Sequence, residues 1–155
     1  MYEEIKARLK GSIAPVITPF DQEDNVDLVK MSELINWQIE SGSHGISVTG
    51  TSGEPSSLTT EERIQVMENA IKTVNGRVPV VPATGSNNHQ ETLYLTKAAQ
   101  EMGADAVMVI VPYYNRPNQA ALYKHFKIVA ESVDIPIIIY NIPGRTAINL
   151  EVKTY

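Results

Sequence analysis

The stretch AVMVIVPYYN, residues 106–115, decides the fold of this 155-residue chain. Its first six residues are apolar on both alternating faces, which is typical of a strand in a parallel sheet that is covered on both sides. Two tyrosines and an asparagine then bring polar groups to the point where that strand ends. The sequence therefore predicts functional side chains at the carboxyl end of a buried parallel strand.

The same pattern recurs along the chain. Short runs rich in Val, Ile and Ala, each bounded by Gly or Pro, predict strands at residues 12–17, 45–48, 78–81, 106–111 and 136–139. They begin roughly 30 residues apart, which is the length of one strand–helix unit. The chain is therefore predicted to be a run of βα units.

Amphipathic stretches between the strands predict helices at residues 27–40, 60–74, 88–102 and 118–132, after a short N-terminal helix around residues 3–9. Thr59 and Glu62 form a capping-box pattern, in which each side chain binds the backbone N–H of the other residue. Gly42, Gly76 and Gly103 follow helices and are predicted to end them in the left-handed conformation.

Composition excludes several classes of protein. A hydrophobic content of 43% suffices for the core of one domain, and the absence of cysteine excludes disulfides, thiolate metal sites and a cysteine nucleophile. A formal charge of −5 argues against a general nucleic-acid binder. Without a signal-peptide pattern or an apolar run of ~20 residues, the chain is expected to be soluble and cytoplasmic, with no membrane contact.

Two parallel architectures fit such a chain. A doubly wound sheet would be complete at this length, whereas a (β/α)8 TIM barrel typically needs ~250 residues. The strand ends favour the barrel, because a barrel brings the carboxyl ends of all its strands into one ring. Polar side chains follow nearly every predicted strand: Thr18; Thr49, Thr51 and Ser52; Thr84 and Ser86; Tyr113, Tyr114 and Asn115; Tyr140 and Asn141. Residues 1–155 are thus predicted to be the N-terminal portion of a single TIM-barrel domain, about its first five βα units.

The loop GTSGE, residues 50–54, directly follows the second predicted strand. Its small side chains leave backbone N–H groups open to an anion, and its glycines allow the turn that such a loop needs. Thr51 and Ser52 add hydroxyl donors. The loop is therefore predicted to bind a carboxylate or a phosphate.

Four stretches together resemble one family. GTSGE at 50–54, PYYNRP at 112–117, YNIPGRT at 140–146 and the opening GSIAPVITPF at 11–20 are similar, in order and spacing, to signatures of the dihydrodipicolinate synthase and N-acetylneuraminate lyase family. Members of that family are tetrameric TIM barrels that condense or cleave pyruvate through a Schiff base on a lysine. The resemblance implies small-molecule substrates, no metal or organic cofactor, and a homotetramer at full length.

The resemblance also assigns roles to particular residues. Tyr140 matches the family's proton shuttle, and a phenol with a pKa of about 10 needs a hydrogen-bond relay to work near neutrality. Thr51 matches the middle of that hydrogen-bond relay, and Tyr114 matches the residue at its far end. In family tetramers, the residue that Tyr114 matches reaches the active site of the neighbouring subunit. Thr51 and Ser52 would bind the pyruvate carboxylate, and Arg145 would bind the carboxylate of the second substrate as a bidentate pair.

Arg145 directs the choice of substrate, since the family's neuraminate lyases lack an arginine there. The resemblance thus implies a synthase that joins pyruvate to aspartate semialdehyde in lysine and diaminopimelate biosynthesis.

A pyruvate aldolase for a sugar acid stays open as an alternative function, because Pro55 and Ala147 depart from the family pattern. A non-catalytic half-barrel scaffold is the third alternative. A lysine-bearing strand in continuation of the chain would discriminate the scaffold from the enzymes.

The chain departs from the family in one large respect. The family's Schiff-base lysine lies on the sixth strand, beyond the last residue, Tyr155. The chain's own lysines are predicted to lie on helix surfaces or, for the last, at the start of the next helix: Lys30, Lys72, Lys97, Lys124, Lys127 and Lys153. Because no imine forms without the amine, the 155-residue polypeptide is expected to be inactive alone.

Lysine feedback is a further possibility that the resemblance raises. Family members inhibited by lysine bind it near residues that match Asn87, Glu91 and Tyr113. Thr60, however, stands where a histidine often completes that site. The sequence leaves lysine inhibition open.

Several other residues are interpreted as structural. Glu54 is expected to fix the glycine-rich turn by hydrogen bonding its backbone. Three histidines are predicted to lie in a turn or on helix surfaces, and the intervals between them in the sequence do not match those of metal ligands: His44, His89 and His125. Four side chains of the helix at 27–40 are predicted to pack on the sheet: Met31, Leu34, Ile35 and Trp37.

Overall fold

A computed structural model describes residues 2–154. Its helices are α1 (Tyr2–Arg8), α2 (Leu28–Glu40), α3 (Thr60–Val74), α4 (His89–Met102), α5 (Gln119–Glu131) and α6 (Pro143–Thr146). Its strands are β1 (Ile13–Pro15), β2 (Gly45–Ser47), β3 (Val107–Ile110) and β4 (Ile137–Tyr140). Short 3-10 turns occupy Thr51–Gly53, Pro55–Ser57 and Val152–Thr154.

Side-chain caps fix where the helices begin. Asp27, Asn88 and Asn118 each accept a hydrogen bond from a backbone N–H two or three residues ahead, so they precede α2, α4 and α5 instead of joining them. The predicted capping box is confirmed: the Glu62 N–H donates to the Thr59 hydroxyl at 3.2 Å, and the Thr59 N–H donates to the Glu62 carboxylate at 2.7 Å. Such caps contribute about 1 kcal/mol each.

Left-handed residues end three helices, as the glycines predict, although not always at the glycine itself. Gly103 ends α4 with φ 93°. In α3, Asn75 takes the left-handed position with φ 47°, one residue before Gly76. In α2 the capping residue is Ser41, and Gly42 follows it with φ 95°.

The sheet is parallel throughout. β1 pairs with β2, with Ile13 opposite Gly45, and β3 pairs with β4, with Val107 opposite Ile137. The strand predicted at residues 78–81 is wrong as a continuous element, because this part of the chain makes only single bridges to its neighbours.

Two prolines explain the interruption at the centre of the sheet. Pro79 and Pro82 have no backbone N–H to donate to a ladder. Their carbonyl groups still accept, at 2.9 Å each, from the backbone N–H groups of Ile46 and Met108. Residues 78–84, hereafter the central segment, therefore join β2 to β3 with fewer hydrogen bonds than a regular strand would make.

The order of the segments favours a barrel. β1, β2, the central segment, β3 and β4 lie side by side in chain order. A doubly wound sheet would need a reversal of strand order at a switch point. Each of the helices α2 to α4 also packs against the next along the chain, as in the outer ring of a barrel.

The main core lies between the strands and the helices. Its fully buried residues in the strands, or directly after them, include Ile46, Val48, Val107, Val109 and Val111. From α2, Met31 and Ile35 are also fully buried, and Leu34 is partly buried. Trp37 was predicted to share this face, but it is 57% exposed. The prediction was wrong because Trp37 follows Ile35 by two positions, which in a 3.6-residue helix places it on the opposite side.

None of the helices in the part of the chain just described combines the length and apolarity needed to cross a membrane.

Candidate functional site

The loop after β2 is fixed by a contact with the end of β1. The Thr18 hydroxyl donates to the Gly53 carbonyl at 2.8 Å, in a buried position. A Cβ at position 53 would lie only 3.3 Å from the Thr18 hydroxyl and from the Val16 carbonyl, so glycine suits this position. The contact anchors the 3-10 turn Thr51–Gly53, while Thr51 and Ser52 stay exposed above the strand ends.

An inner cavity of about 310 Å³ opens beside this turn. Gly50, Thr51 and Ser52 line it together with Tyr140, the last residue of β4. The remainder is mostly apolar and comes from the strands and the central segment: Ile13, Pro15, Ser47, Val81, Met108 and Ile138. Thr51, Ser52 and Tyr140 are thus brought together, as the sequence predicts. The cavity can hold a small carboxylate beside a phenol.

An outer cavity of about 300 Å³ also has Thr51 in its lining. Arg145 and Glu54 contribute its charged groups, and Tyr113 lines it as well. Arg145 belongs to α6, which is held in place by the buried hydroxyl of Thr146 through bonds to the carbonyls at 142 and 148, of 3.1 and 2.9 Å.

A narrow cavity of about 50 Å³ shares residues with the other two. Tyr140 lines both the narrow and the inner cavity, and Tyr113 lines both the narrow and the outer cavity. Thr51 lines all three. Within residues 2–154 the Thr51 hydroxyl makes no hydrogen bond to Tyr140 or Tyr113, so a proton relay through Thr51 stays a prediction.

Tyr114 is placed apart from these cavities. It is 88% exposed and adopts a positive φ of 69° on the loop after β3. Non-glycine residues rarely adopt this conformation. In the single chain Tyr114 does not line the inner cavity with Tyr140 and Thr51. Its role as the far end of the relay stays a prediction that requires a neighbouring subunit.

Glu54 differs from its sequence-based interpretation. Its backbone is left-handed, with φ 49° and ψ 53°, between the turns Thr51–Gly53 and Pro55–Ser57. Its backbone N–H donates to the Thr51 carbonyl at 3.2 Å, but its carboxylate makes no hydrogen bond to the turn or to any other residue in 2–154. The expectation that this side chain fixes the turn was therefore wrong.

Arg63 is a buried cation that the sequence analysis missed. It is 4% exposed and donates to the carbonyls of Ala83 and Gly85 at 3.1 and 3.3 Å, where the central segment ends. Burial lowers the pKa of Arg63 and the charge of Glu91 opposes that shift, the two groups being 3.9 Å apart. A signal was present, because Arg63 shares a helical stripe with the buried Met67.

Glu91 joins the same cluster from α4. The Thr60 hydroxyl donates to its carboxylate at 2.8 Å. Burial would raise the pKa of Glu91, but hydrogen bonds from Ser86 and Thr60, together with the charge of Arg63, lower it below its ordinary value. The Glu91 carboxylate is therefore kept in its charged form, and groups of the chain itself already bind it.

The three residues suggested for lysine feedback do not share a cavity in the described chain. Tyr113 lines the outer and narrow cavities. Asn87 lines a separate cavity and accepts at its carbonyl from the Asn115 amide at 2.8 Å. Glu91 lies with Arg63 and Thr60.

The histidines have structural contacts. His44 accepts at Nδ1 from the Ser12 N–H at 3.2 Å. His89 and His125 join α4 to α5 through a hydrogen bond of 2.9 Å between their Nδ1 atoms. His125 is buried, so its predicted surface position was wrong. Burial first, and the neighbouring His89 second, lower the pKa of His125 to about 4.

The lysines lie where the sequence predicts. All six discussed above are exposed, and Lys153 pairs with Glu151 at 2.8 Å. Within residues 2–154, no group of three or more His, Asp or Glu side chains is arranged to hold a metal ion.

Comparison with known proteins gives a consistent result. The model of the dihydrodipicolinate synthetase family matches residues 8–155. A 4-hydroxy-tetrahydrodipicolinate synthase from Psychrobacter sp. (strain PRwf-1) is 42% identical over 153 residues, which cover 99% of this chain and 51% of the relative.

Solved structures agree with that match. Dihydrodipicolinate synthase from Aquifex aeolicus superposes with a TM-score of 0.92 at 48% identity, over 94% of this chain and 50% of that one. The chloride-inhibited enzyme from Acinetobacter baumannii, complexed with pyruvate, gives a TM-score of 0.91 at 43% identity, again over 94% and 50%. The chain thus spans about half the length of the relatives that it matches, and the predicted partial (β/α)8 barrel is confirmed.

Proposed function

The chain belongs to the dihydrodipicolinate synthetase family, and on that premise we propose that it carries the substrate-binding surface of a Schiff-base synthase. The proposed reaction condenses pyruvate with aspartate semialdehyde in lysine biosynthesis. Because the chain spans about half of its relatives, the activity is proposed for a polypeptide that combines these residues with a lysine-bearing strand.

One observation carries the proposal: Thr51 lines both the inner and the outer cavity. Pyruvate would place its carboxylate on the turn, where Thr51 and Ser52 offer hydroxyl and backbone donors. Its carbonyl carbon would then face the barrel interior beside Tyr140. The apolar floor of the inner cavity suits the methyl group of pyruvate.

The second substrate would occupy the outer cavity. The Arg145 guanidinium can bind a carboxylate through two parallel hydrogen bonds, which fixes its orientation as well as its position. Since Thr51 lines both cavities, an aldehyde held by Arg145 would lie next to the pyruvate carbon that attacks it. Holding two reactants side by side in this way supplies a large part of the rate enhancement.

The proton transfers are proposed to run through Tyr140. Imine formation between pyruvate and a lysine releases water, and loss of a methyl proton gives the enamine whose carbon attacks the aldehyde. Tyr140 would move these protons, and the Thr51 hydroxyl would link its phenol to Tyr114 of a neighbouring subunit. A tyrosine with an ordinary pKa of about 10 needs such a relay near neutral pH.

Trapping with borohydride tests the proposal. Incubated with pyruvate and borohydride, the 155-residue polypeptide should form no covalent adduct, because none of its lysines lines the inner cavity where pyruvate would bind. The same residues joined in frame to the second half of the Aquifex aeolicus relative should gain the mass of one reduced pyruvate. No adduct on the joined protein would argue against Schiff-base chemistry, and an adduct on the short chain would show that one of its own lysines reacts.

A further inference from the structure

Arg145 is carried by a helix that is too short to hold itself in place. α6 consists of Pro143–Thr146, and a single helical turn is unstable in isolation. The Arg145 side chain is exposed, so the region that its guanidinium can reach depends on the position of the α6 backbone. The chain on both sides of α6 must therefore be anchored if Arg145 is to stay at the outer cavity.

Two side-chain amides anchor the chain shortly after α6. Asn141, directly after β4, donates through Nδ2 to the Asn149 Oδ1 at 2.7 Å and accepts at Oδ1 from the Leu150 N–H at 3.1 Å. Gln119, the first residue of α5, donates through Nε2 to the Asn149 carbonyl at 2.8 Å and accepts at Oε1 from the Glu151 N–H at 3.1 Å. The loop that contains α6 is thereby tied to both β4 and α5 at the point where it ends.

Gln119 reaches this anchor from outside the candidate site. Its Oε1 also accepts from the Thr154 hydroxyl at 2.6 Å, so one side chain makes three hydrogen bonds to residues 149–154. Gln119 is absent from the described residues that line the inner, narrow and outer cavities, and it lies outside the four stretches that carry the family resemblance. An effect of Gln119 on catalysis would therefore have to pass through the segment that it holds.

We propose that Gln119 is a positioning residue for the second substrate: by holding residues 149–154 to the start of α5, it fixes α6 and keeps Arg145 at the outer cavity. This inference rests on the proposed function, because it assumes that Arg145 binds the second substrate there. It deepens that function by assigning a residue that sets where the guanidinium lies, whichever aldehyde is bound. Displacing a substrate-binding group by about 1 Å is enough to lower a rate substantially.

Hydrogen exchange of the 155-residue polypeptide tests the anchoring directly. Gln119→Met keeps a side chain of similar length and removes the three hydrogen bonds. The backbone N–H groups of residues 145–151 should exchange about tenfold faster in this variant, because the loop opens more easily.

A second glutamine provides the matched control. The Gln100 side chain accepts from the Asp134 N–H at 2.6 Å, which ties α4 to the chain before β4, at the end of that strand opposite to Arg145. Gln100→Met removes this bond and should leave the exchange of residues 145–151 unchanged.

Kinetics test the consequence for catalysis in the protein that is joined to the second half of the Aquifex aeolicus relative. Gln119→Met should lower kcat/KM for aspartate semialdehyde about three- to tenfold and leave kcat/KM for pyruvate unchanged. Gln119→Glu keeps an acceptor for the Glu151 N–H and should be less impaired. In Arg145→Ala, adding Gln119→Met should cause little further loss, because residues that act through one another have non-additive effects. Gln100→Met should leave kcat/KM for both substrates unchanged.

The outcomes separate this inference from the function on which it rests. If Gln119→Met lowers kcat/KM equally for both substrates, or for neither, the positioning role is overturned and the proposed function still stands. The same holds if the losses in Gln119→Met and Arg145→Ala multiply, or if the exchange of residues 145–151 does not change. Semialdehyde kinetics that do not depend on Arg145 would overturn the proposed second-substrate site and the inference together.

Discussion

At residue 63 a guanidinium lies in the interior, where its charge must be balanced by the chain itself. Arg63 is 4% exposed and bonds the carbonyls of Ala83 and Gly85, with Glu91 nearby. Arg63→Met would remove the side-chain donor to the Gly85 carbonyl, one of the two donors to the Ala83 carbonyl, and the positive charge that faces Glu91. We expect the free energy of unfolding to fall by about 2–4 kcal/mol, measured by urea denaturation.

A surface pair provides the control for this prediction. Arg8 binds Asp105 at 2.7 Å in an exposed position, so Arg8→Met should cost less than about 1 kcal/mol. Adding Glu91→Gln to Arg63→Met should restore part of the lost stability, because the unpaired charge is removed. Equal destabilisation by Arg63→Met and Arg8→Met would contradict a role for the buried charge.

Arg145 and Thr51 should have separable effects on catalysis in the polypeptide that carries the Schiff-base lysine. Arg145→Ala should lower kcat/KM for aspartate semialdehyde by the equivalent of about 2–4 kcal/mol and leave pyruvate trapping intact. Thr51→Val should lower kcat on the order of a hundredfold with any aldehyde, because the proton relay is broken. Unchanged semialdehyde kinetics in Arg145→Ala would favour a sugar-acid aldolase.

Sequence predicted which residues lie together at the strand ends better than it predicted the groups that support them. Thr51, Ser52 and Tyr140 share a cavity because parallel strands end at one rim, so position after a strand is sufficient to place them. Arg63 was missed because a charged side chain is ordinarily expected on the exposed face of a helix, although its position on the buried stripe of α3 was a signal. Glu54 was misjudged because its left-handed backbone depends on the two turns around it.

Between α4 and α5, the pair His89 and His125 makes the contact sensitive to pH. The pKa of His125 is about 4 in the folded chain, against 6.5 ordinarily. As pH falls from about 6.5 to 4, the unfolded chain takes up a proton that the folded chain does not, so stability decreases. This one group should account for about 1–2 kcal/mol of the loss.

Thermal unfolding across that pH range isolates the contribution. His125→Phe removes the titrating ring while keeping an apolar body of similar shape, so its melting temperature should vary less with pH than that of the native chain. His44→Gln controls for the loss of one histidine elsewhere. Parallel pH curves for the native chain and His125→Phe would exclude His125 as the source of acid sensitivity.

The sequence predicted the boundaries of the helices more accurately than the extent of the strands, and the difference has physical reasons. Helix boundaries were accurate to within one or two residues because caps such as Asn88 and Asn118 mark them locally. The central segment was misjudged, since its apolar run predicts a strand while Pro79 and Pro82 remove the donors that a ladder needs. How many backbone hydrogen bonds the central segment makes also depends on its parallel neighbours β2 and β3, which are distant from it in the sequence.

At the scale of the whole molecule, the sheet has two open edges. Among residues 2–154, the outer sides of β1 and β4 have no strand partner. Ile138, which faces the inner cavity from β4, is 37% exposed. Unpaired backbone groups next to exposed apolar side chains are a template for association. The sequence alone predicted these edges once the barrel was preferred to the doubly wound sheet.

We therefore expect the isolated 155-residue polypeptide to associate. Sedimentation velocity should show dimers or larger species that grow with concentration. Ile138→Lys places a charge on the open edge and should shift the distribution towards monomer, because an edge charge is costly to bury against a second chain. Tyr94→Lys alters a residue that is 59% exposed on α4, which packs between α3 and α5 and away from both open edges, so it should leave association unchanged. A compact monomer with one cooperative transition at every concentration would show that these edges do not drive association, and that the helices around the sheet suffice to keep a partial barrel folded.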